Sequence, residues 1–367
     1  MCQSIKNFFH LCEAIVATMV YRFPSKNLTV IGVTGTDGKT TTVNLIHHIL
    51  TESGYKAAVV STISSAHTTT PDSWKLQKFL SQSLKNGCTH VVLEVSSHAI
   101  DQHRIWGIKF AVGVLTNIAE NEHLDYHKTF ENYKNTKLKF LKACGRVADW
   151  KEIKNFHFQT NLLGEFNRQN ILAATAVCRI LNISDADILK GIKSFIAPPG
   201  RLEIVVKKPF IVIVDFAHTP QAFEVVLPEV KKLACLPAGR EKGRLIHVFG
   251  ATGDRDKSKR PIMGKIASQY DDVIILTSED TYSEDREDII NQIEKGVTYK
   301  GETLKGLTLL KCSDRREAIQ KALEIAQPGD VVLLTGVGHQ RSMNIAGQEV
   351  PWNEPKIVKE ILHDTRR

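Results

Sequence analysis

Residues 30–42 read VIGVTGTDGKTTT. An apolar run over 28–33 stops at a glycine-rich turn, and an apolar-periodic segment over 43–50 follows at once. That order is strand, loop, helix, the unit from which parallel α/β folds are built. Backbone N–H groups of such a loop, together with the helix N-terminus behind it, cradle a polyphosphate. Gly35, Thr36, Asp37 and Gly38 would form the cradle, with Thr41 at its end. Lys39 would reach the β- and γ-phosphates, and the Thr40 hydroxyl would sit on Mg²⁺. The expected ligand is ATP or a close relative. The loop departs from a strict G-x-x-x-x-G-K-S/T pattern, because Val33 stands where the first glycine belongs and Gly32 comes one residue early. The strand–loop–helix context favours the nucleotide over a ligand-free glycine turn.

Strand-like and helix-like segments alternate along most of the chain. Candidate strands cover 28–33, 57–62, 90–95, 111–116, 209–215, 244–249, 272–277, 307–311 and 330–335. Candidate helices include 43–53, 72–86, 167–181, 220–234, 259–269, 285–296 and 314–326. This alternation predicts an α/β protein with parallel sheets. Pro198, Pro199 and Gly200 mark the best domain break in the 367 residues. The expected organisation is an N-terminal helical segment 1–27, a phosphate-loop domain 28–197 and a second α/β domain 198–367.

A net charge of +8 is spread along the chain with no basic stripe interleaved with aromatics, which argues against nucleic acid as a partner. Seven cysteines without a C-x-x-C pair argue against a disulfide framework and for a reducing cytoplasm. No run reaches the length of a membrane span, so no integral membrane contact is expected. Near the start, Ile5, Phe8, Phe9, Cys12, Ile15, Val16 and Met19 follow helical spacing. Such a helix either docks on the next domain or meets a membrane surface or a partner.

Other strand ends carry polar groups. Glu94, Ser96, Ser97 and His98 close one apolar strand, and Glu94 could take Mg²⁺ directly or through water. Thr116 and Asn117 close another, followed by Glu122, His123, Asp125, Tyr126 and His127, a grouping that suggests either a metal site or a polar surface turn. The helix after it carries Lys134, Lys137, Lys139 and Lys142, which read by composition as a solvated basic face. Asn167 suits a helix N-cap, as does Thr219 ahead of Pro220. The dense charge at 254–260 could receive charged substrate groups.

Taken in order, these segments resemble the Mur ligases, the ATP-dependent amide ligases of peptidoglycan synthesis, and most closely the MurE branch. TGTDGKTTT, EVSSHAIDQHR, TNI with EHLDYH, YKNTK, LGEFNRQN, PPGRLE, DFAHTP, FGATGDRDKSKRP and GVGH appear in the family's order. The resemblance implies a shortened phosphate-loop central domain followed by a Rossmann-like C-terminal domain. It implies that Lys39, Thr40 and Thr41 hold ATP and Mg²⁺, that Glu94 coordinates the metal, and that His123 helps bind a second Mg²⁺. Lys137 stands where the family carries a carbamylated lysine. Asn167, Arg201, Asp215 and His218 match positions that frame the nucleotide. Thr69, Thr70, Ser96, Gln102 and Arg104 match positions near the muramoyl-peptide acceptor. The implied reaction makes an acyl phosphate from a peptide carboxylate and ATP, which an amino-acid amine then attacks.

Four departures from the pattern stand out. The phosphate-loop strand begins near residue 28, which leaves no room for the branch's N-terminal domain that grips uridine diphosphate, so either a partner protein or the N-terminal helix is expected to compensate. The stretch between Lys137 and Gly164 is short, so part of the central sheet is expected to be missing. The D-N-P-R signature for meso-diaminopimelate aligns with Asp280, Thr281, Tyr282 and Ser283 or, one residue earlier, with Glu279, Asp280, Thr281 and Tyr282. The earlier frame is preferred because Thr277 then matches the family's strand-end threonine, and it puts tyrosine in place of the arginine. The family's G-K-G-H-E ends here in Gln340, which is neutral. Glu279, Tyr282 and Gln340 are thus the expected amino-acid-binding positions, and diaminopimelate specificity is unsupported. Two other functions compete: a folylpolyglutamate-synthase-like ligase, and a nucleotide-binding regulatory or scaffolding protein with little ligase activity.

Overall fold

Apolar runs interleaved with amphipathic ones build two separate sheets. The computed structural model describes residues 3–63, 69–120, 124–234, 243–298 and 306–364. The chain divides into two compact units, Met1–Ile196 and Ala197–Arg367.

In the first unit α1 (Gln3–Val20) precedes β1 (Thr29–Thr34), α2 (Lys39–Glu52), β2 (Ala57–Val60), α3 (Ser73–Lys85), β3 (His90–Glu94) and α4 (Ser97–Asp101). Then come β4 (Phe110–Leu115), α5 (Leu124–His127), α6 (Phe130–Lys142), β5 (Arg146–Ala148), α7 (Phe166–Ile180) and α8 (Asp185–Ser194). The strands lie in the order β2-β3-β1-β4-β5, all parallel. The two central strands are covered on both faces, which is why they read as unbroken apolar runs. Val30, Val91 and Leu93 of the sheet pack with Leu76 and Leu80 of α3 and with Phe140 and Leu141 of α6.

Register decides what meets at the carboxyl edge. Val33 pairs with Glu94 and Thr34 with Leu115. The turn after β1 is therefore flanked by the carboxylate that ends β3 and by the polar turn after β4, at the edge where open parallel sheets bind ligands. Gly32, one residue early for the loop pattern, has a packing role. A Cβ there would lie 2.5 Å from Phe140 and 2.8 Å from Phe110.

α1 packs on α3. It buries Ala14, Ala17 and Thr18, while Ile5, Phe8, Phe9, Val16, Met19 and Val20 stay exposed. No described helix is long and apolar enough to cross a membrane.

The second unit runs β6 (Glu203–Val206), β7 (Ile211–Val214), α9 (Pro220–Lys231), β8 (Leu245–Phe249), α10 (Lys259–Tyr270), β9 (Val273–Leu276) and α11 (Arg286–Glu294). It ends with β10 (Thr308–Lys311), α12 (Arg315–Ile325), β11 (Val331–Leu334), β12 (Ser342–Ile345), β13 (Gln348–Pro351) and α13 (Glu354–Asp364). Its main sheet has the order β10-β9-β8-β11-β7-β6. The expectation of parallel sheets fails at β6, which pairs antiparallel with β7, and at the β12–β13 hairpin. Only a short turn separates each pair, and a parallel partner would need a long crossover. α12 and α13 cover one face of the main sheet through Ala318, Ile319, Ala322, Ile357, Val358 and Ile361.

Candidate active site

The loop after β1 is held from outside. The backbone N–H of Thr36 donates to Asn117 O at 3.0 Å, and that of Asp37 to Asn117 Oδ1 at 2.8 Å. Thr116 Oγ1 donates to Asp37 O at 2.6 Å. Thr36 Oγ1 accepts from Ala119 N and lies 2.8 Å from the Tyr133 hydroxyl. Gly38 has φ +78°, and a Cβ there would meet Asn170 Oδ1 at 1.9 Å, so both backbone and space require glycine. α2 starts immediately afterwards at Lys39. Thr40 and Thr41 thus fall in its first turn, where unpaired N–H groups face the loop.

Lys39 Nζ folds back onto the loop and donates to Gly35 O at 3.0 Å and Thr36 O at 2.5 Å. Thr40 Oγ1 lies 3.1 Å from both oxygens of Glu94. Glu94 is 2% exposed and also accepts from Thr62 N at 2.9 Å and Thr62 Oγ1 at 3.1 Å. Among the described residues no three histidines, cysteines or carboxylates gather into a metal cage. A carboxylate paired with a hydroxyl beside a phosphate loop suits Mg²⁺, which keeps waters and phosphate oxygens among its ligands. Glu122 and His123 lie outside the described residues.

Lys137 overturns the solvated reading of its helix. It is 1% exposed. Tyr133, Lys137, Phe140 and Leu141 share the buried stripe of α6, whereas Lys139 and Lys142 are exposed. Lys137 Nζ donates to Gly35 O at 2.7 Å and stands 4.6 Å over the Tyr133 ring.

A second cluster lies one turn further along the same edge. Thr70, preceded by half-buried Thr69, donates through Oγ1 to Glu94 O at 2.8 Å and accepts from Ser96 N at 3.0 Å. Ser96 caps α4 by accepting from Ala99 N. Arg104 donates to Thr70 O at 3.0 Å and to Gln102 Oε1 at 2.5 Å. Burial holds its guanidinium below the usual arginine range, partly offset by Asp72 and Tyr126. Asn167 is not the cap of α7. Glu165 occupies that position, and Asn167 instead donates to Leu163 O at 2.6 Å and accepts from Asn170 at 2.9 Å. It therefore braces the Asn170 side chain that packs over Gly38.

In the second unit Asp215 accepts from Leu202 N and Ala217 N, both at 2.7 Å, and so ties the turn bearing Arg201 to the end of β7. Arg201 lies 4.8 Å over the Phe216 ring, which also touches His218 and His339. Burial, then Lys259, push the His218 imidazole down to about 4, and it lies 2.8 Å from Phe216 O through Nδ1. Thr219 caps α9 and Pro220 opens it, as the sequence suggests.

The three amino-acid-binding candidates do not share one surface. Tyr282, with φ +50°, lines a cavity of about 560 Å³ with Ser283, Glu284, Asp285 and Arg286. Glu279 turns away from it. It is 3% exposed, accepts from Gly250 N at 3.2 Å and lies under Gly336, and burial raises its carboxyl despite nearby Arg315. Gln340 Nε2 donates to Asp280 Oδ2 at 3.2 Å.

Comparison with known proteins fits this geometry. Residues 33–148 match the Mur ligase middle domain, and residues 200–338 match the Mur ligase glutamate ligase domain. The UDP-N-acetylmuramoyl-L-alanyl-D-glutamate–2,6-diaminopimelate ligase of Aquifex aeolicus is 36% identical over 92% of this chain and 78% of its own. The chain belongs to the Mur ligase family. The ligase of the same name from Cytophaga hutchinsonii is 35% identical over 95% of this Mur ligase and 80% of its own chain. A solved structure of such a diaminopimelate ligase superposes with a TM-score of 0.60 at 26% identity, covering 100% of this chain and 84% of that one. The MurF ligase of Thermotoga maritima, solved with ADP, shares the fold at a TM-score of 0.68 and 18% identity over 96% of this chain and 85% of its own. This Mur ligase is an ATP-dependent ligase of peptidoglycan synthesis.

Sequence reasoning missed several residues that contact the candidate site. Thr62, Tyr133 and Asn170 touch Glu94, Thr36 and Gly38 from remote segments, and no local pattern marks such contacts. Lys137 did carry a signal, because its spacing from Tyr133, Phe140 and Leu141 is that of a buried helical stripe.

Proposed function

We propose that this Mur ligase joins an amino acid to the peptide carboxylate of a UDP-MurNAc-peptide in the cytoplasm, using ATP with Mg²⁺. One observation carries the reading: the side chains of Lys39 and the buried Lys137 converge on Gly35 O in the loop, beside the carboxylate of Glu94 paired with Thr40. A ligand-free turn has no use for that charge, whereas a triphosphate and its cation do. Gly35, Thr36, Asp37, Gly38, Lys39, Thr40 and Thr41 would hold the phosphates. Thr40 and Glu94 would hold Mg²⁺, which when bound neutralises phosphate charge, and His123 would help hold a second Mg²⁺.

The chain's own part is positioning and charge. Arg104 and Gln102 would orient the acceptor, with Thr69, Thr70 and Ser96 beneath them. Its carboxylate attacks the γ-phosphorus, forming an acyl phosphate and releasing ADP. The amine then attacks the acyl carbon, and phosphate leaves. Lys39 would offset charge on the transferring group. Lys137 as a carbamate would keep an N–H for Gly35 O while exchanging a buried cation for an anion able to help hold Mg²⁺. Asn167, through Asn170, fixes Gly38, and Arg201, Asp215 and His218 would be nucleotide-binding residues of the second unit by the family resemblance. Tyr282 and Gln340 would shape the amino-acid site, with Glu279 supporting it from below.

The test is a phosphate-release screen of amino acids against UDP-MurNAc-peptides with Mg-ATP. Release that requires both a muramoyl peptide and an amino acid is expected. Release with a pterin-glutamate acceptor alone, or with none, would overturn the proposal.

A further inference from the structure

We propose that α1 is a positioning element for the acceptor site, clamping residues 101–107 from both ends. The inference rests on the reading of Ser96, Gln102 and Arg104 as acceptor-binding residues. α4 carries two of them at its ends, with Ser96 as N-cap and Gln102 as C-cap. Its last residue, Asp101, is held by α1. Asn7 Nδ2 donates to Asp101 Oδ2 at 2.8 Å, and the Tyr126 hydroxyl donates to the same oxygen at 2.7 Å. Gln3 Nε2 donates to Tyr126 at 3.0 Å and to Asn7 Oδ1 at 2.9 Å, which orients both donors. Burial raises the Asp101 carboxyl, but the hydrogen bonds from Tyr126 and Asn7 outweigh it and hold it below its usual range. It is thus an anion locked between two donors.

The other end of α1 makes the second tether. Thr18 Oγ1, whose single proton is shared between Ala14 O at 2.7 Å and Trp106 O at 3.2 Å, accepts from Gln77 Nε2 at 3.0 Å, and Gln77 Nε2 itself reaches Trp106 O at 3.4 Å. Gly107, with φ +77°, lets the chain pass so close that a Cβ would meet Thr18 Cγ2 at 2.6 Å. Arg104 lies between the tethers, three residues after Asp101 and two before Trp106. Its fork toward Thr70 O and Gln102 Oε1 needs that backbone held still. Most of α1's apolar surface faces outward.

Asn7→Ala should raise the KM for UDP-MurNAc-peptide roughly five- to tenfold, less than the full loss of one bond to a charged group because Asn7 acts through Asp101 and Tyr126 still holds that carboxylate. KM for ATP and the melting temperature should change little. Asn7→Asp alone should be worse, because it sets two carboxylates together. Asn7→Asp combined with Asp101→Asn restores the bond between the two positions but not the acceptor of Tyr126, and should recover part of the affinity; a merely structural role would raise KM for ATP alongside it. Backbone amides of 97–107 should exchange hydrogen faster in Asn7→Ala, and Thr18→Val should speed the same segment. Unchanged KM and unchanged exchange would overturn the clamp. If the parent protein ligates no muramoyl peptide, the proposed function fails, and the exchange measurement still decides whether α1 holds the segment.

Discussion

Lys39 and Lys137 donate to the same carbonyl, that of Gly35, at 3.0 and 2.7 Å. One carbonyl has two lone pairs and can accept both. Two ammonium groups on one oxygen still repel each other, more so because Lys137 is buried. An anion in the loop, or conversion of one lysine to an anion, relieves that repulsion. The pair is therefore where the chemistry is most exposed to substitution.

Lys39→Ala should lower ligation by about 10²–10³-fold, the cost of deleting one preorganised donor to a developing anion. The helix that follows should form as before, because Lys39 is half-buried and bonds only loop carbonyls. Turnover equal to the parent would remove Lys39 from the phosphate site.

Lys137→Ala should abolish most activity, while Lys134→Ala and Lys139→Ala, at exposed or half-exposed positions on the same helix, should cost little. Short carboxylic acids should restore part of the Lys137→Ala activity by replacing the anion. Intact-protein mass after exchange into bicarbonate should show one added CO₂. An unmodified, fully active enzyme, together with an active Lys137→Ala, rejects the carbamate.

Thr40→Val keeps the side-chain shape but removes the hydroxyl that lies 3.1 Å from both Glu94 oxygens. The Mg²⁺ concentration for half-maximal rate should rise roughly ten- to a hundredfold, as it does when a metal's supporting ligand is lost. A magnesium titration identical to the parent's would separate Thr40 and Glu94 from the cation.

Meso-diaminopimelate should be a poor amine substrate. Tyr282 offers no cation to its second carboxylate, and Gln340 offers no anion to its distal ammonium. Comparison of kcat/KM across amino acids checks this. Diaminopimelate as the best substrate would show that the cavity beside Tyr282 binds it by other groups.

In the second unit Glu284 accepts two bonds from the fully buried Arg260, at 2.8 and 3.0 Å, and that pairing holds its carboxyl down at about 2. A depressed carboxylate adds stability above its ordinary value near 4.5 and loses it as pH falls through about 2. Glu284→Gln should flatten that part of the acid-unfolding curve. It should also cost about 1–3 kcal/mol at neutral pH, because Arg260 loses its carboxylate while keeping its bonds to Gln292 and Thr252 O. An unchanged denaturation midpoint at pH 7 would contradict this.

The loop TGTDGKTTT and the ordered motifs after it identify the family because each is local. A strand end, a glycine turn and a helix start occupy adjacent residues, so their chemistry can be read from spacing. The alternation of apolar runs likewise determines two α/β units, since period and length reflect backbone geometry. Contacts between distant segments follow different rules. Whether Lys137 is solvated depends on which face of α6 meets β1, and that is settled by Phe110 and Phe140 packing into the space left by Gly32. Asn167 reads as a cap, but α7 begins one residue earlier and spends that side chain on Asn170. The polar edge of α1 gains meaning only when Asp101 and Tyr126 fold against it. Such pairings join residues about a hundred positions apart, and packing of whole elements, not local propensity, brings them within 3 Å.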